Sequence, residues 1–151
     1  MVITSGFKLI GLSIRTTNKD NKAVHDVGNL WERFFSEKVF EKIPNKQSKE
    51  ILSIYTDYES DYTGEYTAII GVAVATLDEV PEGLIRREFR AEMFQTFLAK
   101  GEMPKAVASM WSEIWRRDKE LNRKYTYDFE VYGEKSQQGA NSEVEIFLAI
   151  K

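Results

Sequence analysis

A carboxylate among aromatic residues on a predicted strand is the part of this sequence best suited to do chemistry. In the stretch 128–132 the apolar Phe129 and Val131 alternate with polar residues, Glu130 among them. Neighbouring residues on a strand point to opposite faces of the sheet. If Phe129 and Val131 face the helices that cover the sheet, Glu130 faces an open groove. There it could meet a cationic group, or it could take up a proton as a general base.

The last predicted strand carries a second candidate acid. Ile146 and Leu148 alternate with Glu145 and Phe147, so the two pairs point to opposite faces. We expect Phe147 to lie on the face of the groove. Two positions stay open for Glu145, either inside the groove as a second acid or at its rim in solvent.

Aromatic residues on strands are the candidate walls of the groove, because half of all strand side chains face away from the helices. Tyrosine suits a partly wet wall, since its ring stacks and its hydroxyl forms hydrogen bonds. Trp111, on the second predicted helix, could reach past the helix edge into the groove. The strand candidates are Tyr55, Tyr66, Phe94, Tyr127 and Tyr132.

The sequence lacks the residues that several other kinds of site require. The chain has no Cys, which excludes disulfides, thiol nucleophiles and the usual zinc sites, and the single His25 cannot form a histidine-rich metal site. Neither a nucleophile elbow nor a glycine-rich phosphate loop occurs. The acids at 57, 59 and 61 do not match the spacing of a calcium loop. We therefore expect no metal and no cofactor.

Charge and hydropathy limit the partners. The chain has 21 basic and 24 acidic residues, a net charge of −3, whereas binding to nucleic acid requires a concentrated basic stripe. The longest apolar run, 68–75, is about a third of a membrane span, and residues 1–14 do not resemble a secretory signal. We expect a cytoplasmic protein that binds neither nucleic acid nor membrane.

Periodicity predicts the elements that position these residues. Alternation predicts a first strand at about 7–17 with a bulge or bend at Gly11, and helical spacing predicts a helix at about 23–36. Strands at 51–58 and 66–76 follow, joined by a turn at 60–64. After a break at 78–83 come a strand at 87–98, a helix after the loop 100–104, and strands at 125–132 and 144–150. Large apolar residues at helical spacing are expected to pack in the core: Trp31, Phe34, Phe35, Ile114 and Trp115.

The order β-α-β-β occurs twice, and the helix motif at 30–35 is echoed at 110–115. A duplicated unit explains both observations, with pseudo-repeats at about 1–78 and 84–151 in a single domain. We predict an α+β fold in which the two units form a largely antiparallel sheet. Both helices cover one face, and a ligand groove lies between the halves.

Seven motifs in order resemble one known family: Trp31 with Phe34, 54–59, 70–74, 81–84, 111–115, 128–132 and 145–150. The chain resembles the effector-binding domain of AraC-type and MerR-type bacterial transcription activators, also called the gyrase-inhibitory-protein-like (GyrI-like) small-molecule-binding domain. The resemblance implies a pocket for lipophilic, often cationic compounds, in which a buried glutamate meets the positive charge. By motif that glutamate is Glu130. The family's regulators carry a helix-turn-helix domain before this one, whereas strand one begins here near Phe7, so a free-standing effector domain is expected.

Three functions remain open. The first is a module that binds a lipophilic, cationic, drug-like molecule. The second is a hydrolase of strained electrophilic compounds with Glu130 as the base, and the third is a gyrase-inhibitor-type module with a protein partner. The sequence favours the first over an enzyme, because a single acid without an evident partner binds a cation but gives only part of a catalytic apparatus.

Overall fold

Eight strands and three α-helices form within residues 2–151, the part of the chain that the computed structural model describes. The strands are β1 (Val2–Thr4), β2 (Phe7–Thr17), β3 (Ile51–Thr56), β4 (Glu65–Val74), β5 (Ile85–Phe89), β6 (Glu92–Lys100), β7 (Tyr127–Tyr132) and β8 (Glu143–Ala149). The helices are α1 (Lys22–Ser36), α2 (Val39–Lys42) and α3 (Lys105–Arg116). The α+β prediction is confirmed.

All the strands join one antiparallel sheet in the order β1-β6-β8-β7-β3-β4-β2-β5. The central neighbours β7 and β3 come from the two predicted units, and the order on either side of them is symmetric. Each edge strand pairs with the other unit: β1 precedes β2 but pairs with β6, and β5 precedes β6 but pairs with β2. This order is what two paired copies of one unit produce, and their boundaries stay a prediction.

Both long helices lie on the same face of the sheet, as predicted. Leu30 and Phe34 of α1 pack with Ile70 of β4, and Ile114 of α3 packs with Ile146 of β8. These side chains are almost fully buried. Burial of a large aliphatic or aromatic side chain stabilises the fold by about 1.5–3 kcal/mol. The apolar stripes of the helices therefore hold them on this face.

The opposite face is also buried, and its hydrophobic cluster is built from strand residues. The sheet curls, so that Phe89 of the edge strand β5 lies 4.8 Å from Tyr127 of the central β7, measured between ring centroids. Phe129 belongs to this cluster, and Val131 packs against it. The expectation that Phe129 and Val131 face the helices is wrong. The curl supplies the burial that a layer of helices would otherwise supply.

Two glycines lie where β2 and β4 pair most closely. Gly11 of β2 lies directly opposite Gly71 of β4, and the pairing runs unbroken through both, so the bulge predicted at Gly11 does not form. A Cβ added to Gly11 would lie 2.1 Å from the carbonyl oxygen of Ile70. The absence of a side chain at Gly11 thus lets β2 and β4 approach closely.

Three elements differ from the prediction. The strand predicted at 87–98 is divided into β5 and β6 by a break at Arg90 and Ala91, and each part pairs with a different neighbour. The short β1 gave too few residues for a periodic signal. The single turn α2 was missed for the same reason, and its Val39 is buried against the core beneath α1.

Candidate functional site

A cavity of about 460 Å³ lies on the helical face of the sheet, between α1 and α3. Its floor comes from β3, β4 and β7, and the loop that joins β3 to β4 closes one side. The groove was predicted on the face without helices, and that placement is wrong. Eight aromatic side chains from the described residues line it: Trp31, Tyr55, Tyr58, Tyr62, Tyr66, Trp111, Trp115 and Tyr132.

Glu130 lies at the floor of the cavity and is only 1 % exposed. Its Oε2 atom accepts hydrogen bonds from the indole Nε1 of Trp111 at 2.6 Å and from the hydroxyl of Tyr55 at 2.9 Å. The hydroxyl of Tyr132 donates to Oε1 at 2.6 Å. Both carboxylate oxygens are therefore fixed in place by neutral donors.

The charge of Glu130 is not balanced by an ion pair within residues 2–151. Burial raises the pKa of Glu130 above its ordinary value, and the hydrogen bonds from Tyr132, Trp111 and Tyr55 offset part of this shift. Removing a carboxylate from water disfavours its charged form, whereas donors directed at it favour that form. The site thus holds a carboxylate that a cation would stabilise.

The tyrosines around Glu130 act as donors. Burial, followed by the nearby charge of Glu130, raises the pKa of Tyr55 and Tyr132 well above the ordinary value. Both hydroxyls therefore stay protonated at neutral pH, and the hydroxyl of Ser53 donates in turn to that of Tyr55 at 3.1 Å. These groups can orient a carboxylate or a ligand but cannot serve as bases.

A buried ion pair lies beside the cavity. Arg123 Nη2 donates to Asp128 Oδ2 at 2.8 Å, and the hydroxyl of Tyr58 donates to the same oxygen at 2.6 Å. The backbone N–H of Ala149 donates to Oδ1 at 2.9 Å. Arg123 also contacts Asp118 at 3.3 Å. The positive charge of Arg123 is therefore already balanced by its own acids.

The structure brings together five of the residues that the sequence singled out, all of which line the cavity. Tyr55 and Tyr132 extend from β3 and β7, Tyr66 from β4, and Trp111 from α3. Each ring lies close to another: Tyr55 is 5.5 Å from Trp111 and 5.8 Å from Tyr66. The fifth residue is Glu130 itself.

The remaining candidates lie elsewhere. Phe94, Tyr127 and Phe147 belong to the cluster on the opposite face of the sheet. Glu145 is solvent-exposed. The register explains all four positions, because β8 pairs Phe147 with Phe129, and Glu145 with Val131, on the face away from Glu130. These four residues therefore do not line this cavity.

Part of the cavity wall was not predicted from the sequence. Trp31 and Trp115 were assigned to the core, yet both line the cavity, and Trp31 lies 4.8 Å from Tyr132. Phe35, also assigned to the core, is 61 % exposed. The echo between the helix motifs is the signal that could have found Trp31, because it places Trp31 and Trp111 at matching positions. Tyr58, Tyr62 and Arg123 also line the cavity and had no such signal.

Neither a metal site nor a membrane-spanning helix is found among residues 2–151. Within that range no group of three or more His, Asp or Glu side chains is arranged to hold a metal ion. Over the same residues no helix combines the length and apolar character needed to cross a membrane.

Several known proteins are similar to this chain in sequence, in fold or in both. The family Cass2, described as integron-associated effector binding protein, matches residues 2–150. YobU of Bacillus subtilis (strain 168), whose name places it among transcriptional regulators, is 27 % identical over 147 residues, which are 95 % of this chain and 92 % of YobU. The integron cassette protein VCH_CASS2, from the mobile metagenome of Vibrio cholerae, has a crystal structure that is 32 % identical with a TM-score of 0.73, covering 99 % of this chain and 94 % of that one. The structure of SAV2435 bound to tetraphenylphosphonium has a TM-score of 0.82 and covers 99 % and 92 % of the two chains, but at 20 % identity the likeness shows the fold alone.

Proposed function

The chain belongs to the Cass2 family of integron-associated effector-binding proteins, and from this premise we propose that its aromatic cavity binds a lipophilic cation. The resemblance to a GyrI-like effector-binding domain is confirmed by the family match. The chain is thus a small-molecule-binding effector domain. What we propose beyond this is the charge of the ligand and the residues that contact it.

The observation that carries the proposal is the buried carboxylate of Glu130, which three neutral donors orient and which no cation among residues 2–151 pairs with. Burying an unpaired charge is costly, so a ligand cation gains affinity by removing that cost. Aromatic faces add about 0.5–2 kcal/mol each when the cation is desolvated. Such a site favours cations with delocalised or shielded charge, because they lose little hydration on entry.

Tetraphenylphosphonium is a suitable probe. SAV2435, which shares the fold, is bound to that cation in its solved structure. All three Trp residues of this chain line the cavity, so binding is expected to change their fluorescence. Tetraphenylborate is nearly the same size and shape but carries a negative charge, and it serves as the matched control ligand.

The decisive variant is Glu130→Gln. Its side-chain oxygen can still accept from Trp111 and Tyr55, while its amide can donate to the hydroxyl of Tyr132, so the fold is preserved. We expect tetraphenylphosphonium to bind the wild type and to bind Glu130→Gln more weakly by about 1–3 kcal/mol, which is about 5- to 150-fold in Kd. Glu145→Gln removes an exposed carboxylate outside the cavity and should bind like the wild type. Equal Kd values for wild type and Glu130→Gln, or comparable binding of tetraphenylborate, would contradict the proposal.

A hydrolase is the second candidate, favoured by one observation. The hydroxyls of Tyr55 and Tyr132 lie within hydrogen-bonding distance of Glu130, which places proton donors beside a carboxylate whose pKa is raised. Against it, both oxygens of Glu130 already accept hydrogen bonds, which makes it a weaker base. Incubation with a strained cyclopropane or an ester, followed by mass spectrometry, separates the two candidates. Several turnovers that are lost in Glu130→Gln would favour the enzyme.

A gyrase-inhibitor-type interaction module is the third candidate. It would be favoured by a groove filled with the chain's own side chains, whereas the cavity here has space for a ligand. A protein partner can still carry the response to the ligand. We propose that any effect on transcription passes through such a partner, because a net charge of −3 does not suit direct contact with nucleic acid.

A further inference from the structure

Gly28 stands at an unfavourable position in α1. It is the seventh of fifteen residues, well inside the helix. A glycine there destabilises the helix relative to alanine, because it loses more conformational freedom on folding. Its backbone is helical rather than left-handed, a conformation that every other residue type but proline adopts easily. The backbone therefore gives no reason for a glycine.

The surroundings of Gly28 give no packing reason either. A Cβ added to it would meet no heavy atom within 4 Å. On the same helix, the neighbouring residues that line the cavity are larger and apolar: Val24, Val27 and Trp31. Val24 is 70 % exposed, so this part of α1 borders the open side of the cavity. Gly28 lines the cavity and is solvent-exposed, so a side chain at position 28 would enter open space at the cavity mouth.

The facing helix is also kept small where it lines the cavity. Ala108 and Ser112 of α3 contribute to the same walls and are solvent-exposed. The gap between α1 and α3 is thus bordered by Gly28 on one side and by short side chains on the other. Large aromatic rings line the floor of the cavity, whereas the gap between α1 and α3 is bordered by small residues.

We propose that Gly28 is a specificity-determining residue, which keeps the gap between α1 and α3 wide enough for a bulky, three-dimensional cation. The assignment rests on the proposed function. It names the ligand class more closely, as a cationic centre that carries several aromatic or branched groups rather than one. A larger side chain at position 28 narrows the gap without altering the charge of Glu130.

The test compares two cations with the same charged atom. Tetraphenylphosphonium carries four rings and phenyltrimethylphosphonium carries one. In Gly28→Leu we expect the Kd of the large cation to rise by about tenfold or more, the scale of an overpacked contact, while that of the small cation stays at its wild-type value. Gly28→Ala should show the same change of ratio to a smaller extent. Asn29→Leu places the same side chain at the adjacent exposed position that does not line the cavity, and its ratio should equal that of the wild type.

The outcomes separate this proposal from the one on which it rests. Glu130→Gln should weaken both cations alike and leave the ratio unchanged, whereas Gly28→Leu should change the ratio. A wild-type ratio in a folded Gly28→Leu overturns the role of Gly28 and leaves the cation site intact. If Gly28→Leu does not fold, an unchanged ratio in Gly28→Ala overturns it in the same way. Failure of the wild type to bind either cation overturns both proposals.

Discussion

Glu130 combines two properties that rarely occur together, since it is buried and yet its charge is not balanced by a basic side chain within residues 2–151. The neighbouring Asp128 shows the usual solution, an ion pair with Arg123. Burial raises the pKa of both carboxyls, but Asp128 is compensated within the protein. This difference between the two acids is the reason for proposing Glu130 as the residue that meets a ligand cation.

The raised pKa of Glu130 predicts how binding depends on pH. A cation binds the ionised carboxylate, so protonation competes with it. Because the pKa lies above the ordinary glutamate value of 4.5, affinity should be constant well above the raised pKa and should fall as the pH is lowered through it. The loss should begin at a pH at which an exposed glutamate is still ionised.

Fluorescence titrations with tetraphenylphosphonium between about pH 8 and about pH 4.5 measure this dependence. Glu145→Gln should follow the wild-type curve, while Glu130→Gln should bind weakly with little change over the same range. A wild-type curve that is flat down to the ordinary glutamate range would show that Glu130 does not control binding.

At the scale of the element, β7 is the strand that organises the site. Its Asp128, Glu130 and Tyr132 all point to the helical face. Asp128 accepts a hydrogen bond from Tyr58, and Glu130 accepts hydrogen bonds from Trp111 of α3 and from Tyr132, two residues further along β7. Arg123, in the segment between α3 and β7, clamps this segment to the strand through Asp128. The clamp keeps the cavity floor in position relative to α3.

Breaking this clamp should be costly. In Arg123→Met the fully buried Asp128 loses its partner, and we expect a loss of about 3–5 kcal/mol in the free energy of unfolding. The matched control is Arg116→Met, which removes an exposed arginine paired with Glu113 and should leave the free energy of unfolding close to that of the wild type. Urea unfolding followed by fluorescence measures both. Equal losses would show that the buried pair has no special weight.

Adding Asp128→Asn to Arg123→Met tests the cause. The double variant removes the unpaired charge, so part of the lost stability should return. A double variant that is no more stable than Arg123→Met would point to packing rather than charge.

At the scale of the whole molecule, the curl of the sheet lets one layer bury both of its faces. The helices cover one face, and the strands fold the other around an aromatic cluster. Because α1 and α3 rest on opposite halves of the sheet, a space remains between them, and the central strands β3 and β7 form its floor. The cavity is therefore a consequence of the two-unit architecture.

The close approach of β2 and β4 predicts the effect of a methyl group at Gly11. In Gly11→Ala the new Cβ would overlap the carbonyl oxygen of Ile70, so β2 and β4 must separate at this point. We expect a loss of about 2–3 kcal/mol in the free energy of unfolding. Gly28→Ala, whose new Cβ meets open space, is the control and should be at least as stable as the wild type. A Gly11→Ala protein as stable as the wild type would contradict the role of the glycine pair.

Local patterns in the sequence determined most of the elements. The helical spacing around Trp31 and Trp111 predicted α1 and α3, and alternation predicted the main strands, because these periods depend only on neighbouring residues. The same alternation grouped Glu130 with Tyr132 on one face of β7. Glu130 and four of the aromatic residues that line the cavity were therefore predictable from the sequence.

Which face of the sheet carries the cavity depends on the tertiary structure. Alternation states which residues share a face, but it does not state what covers that face. On β7 residue polarity does not distinguish a buried from a solvent-exposed face either, because Phe129 is 6 % exposed and Glu130 is 1 % exposed, so both faces are buried. The curl that buries Phe129 arises from pairings between strands distant in sequence. For that reason Phe94, Tyr127 and Phe147 lie on the opposite face of the sheet. The two helices, of which only Trp111 was expected to reach the groove, form the walls of the site.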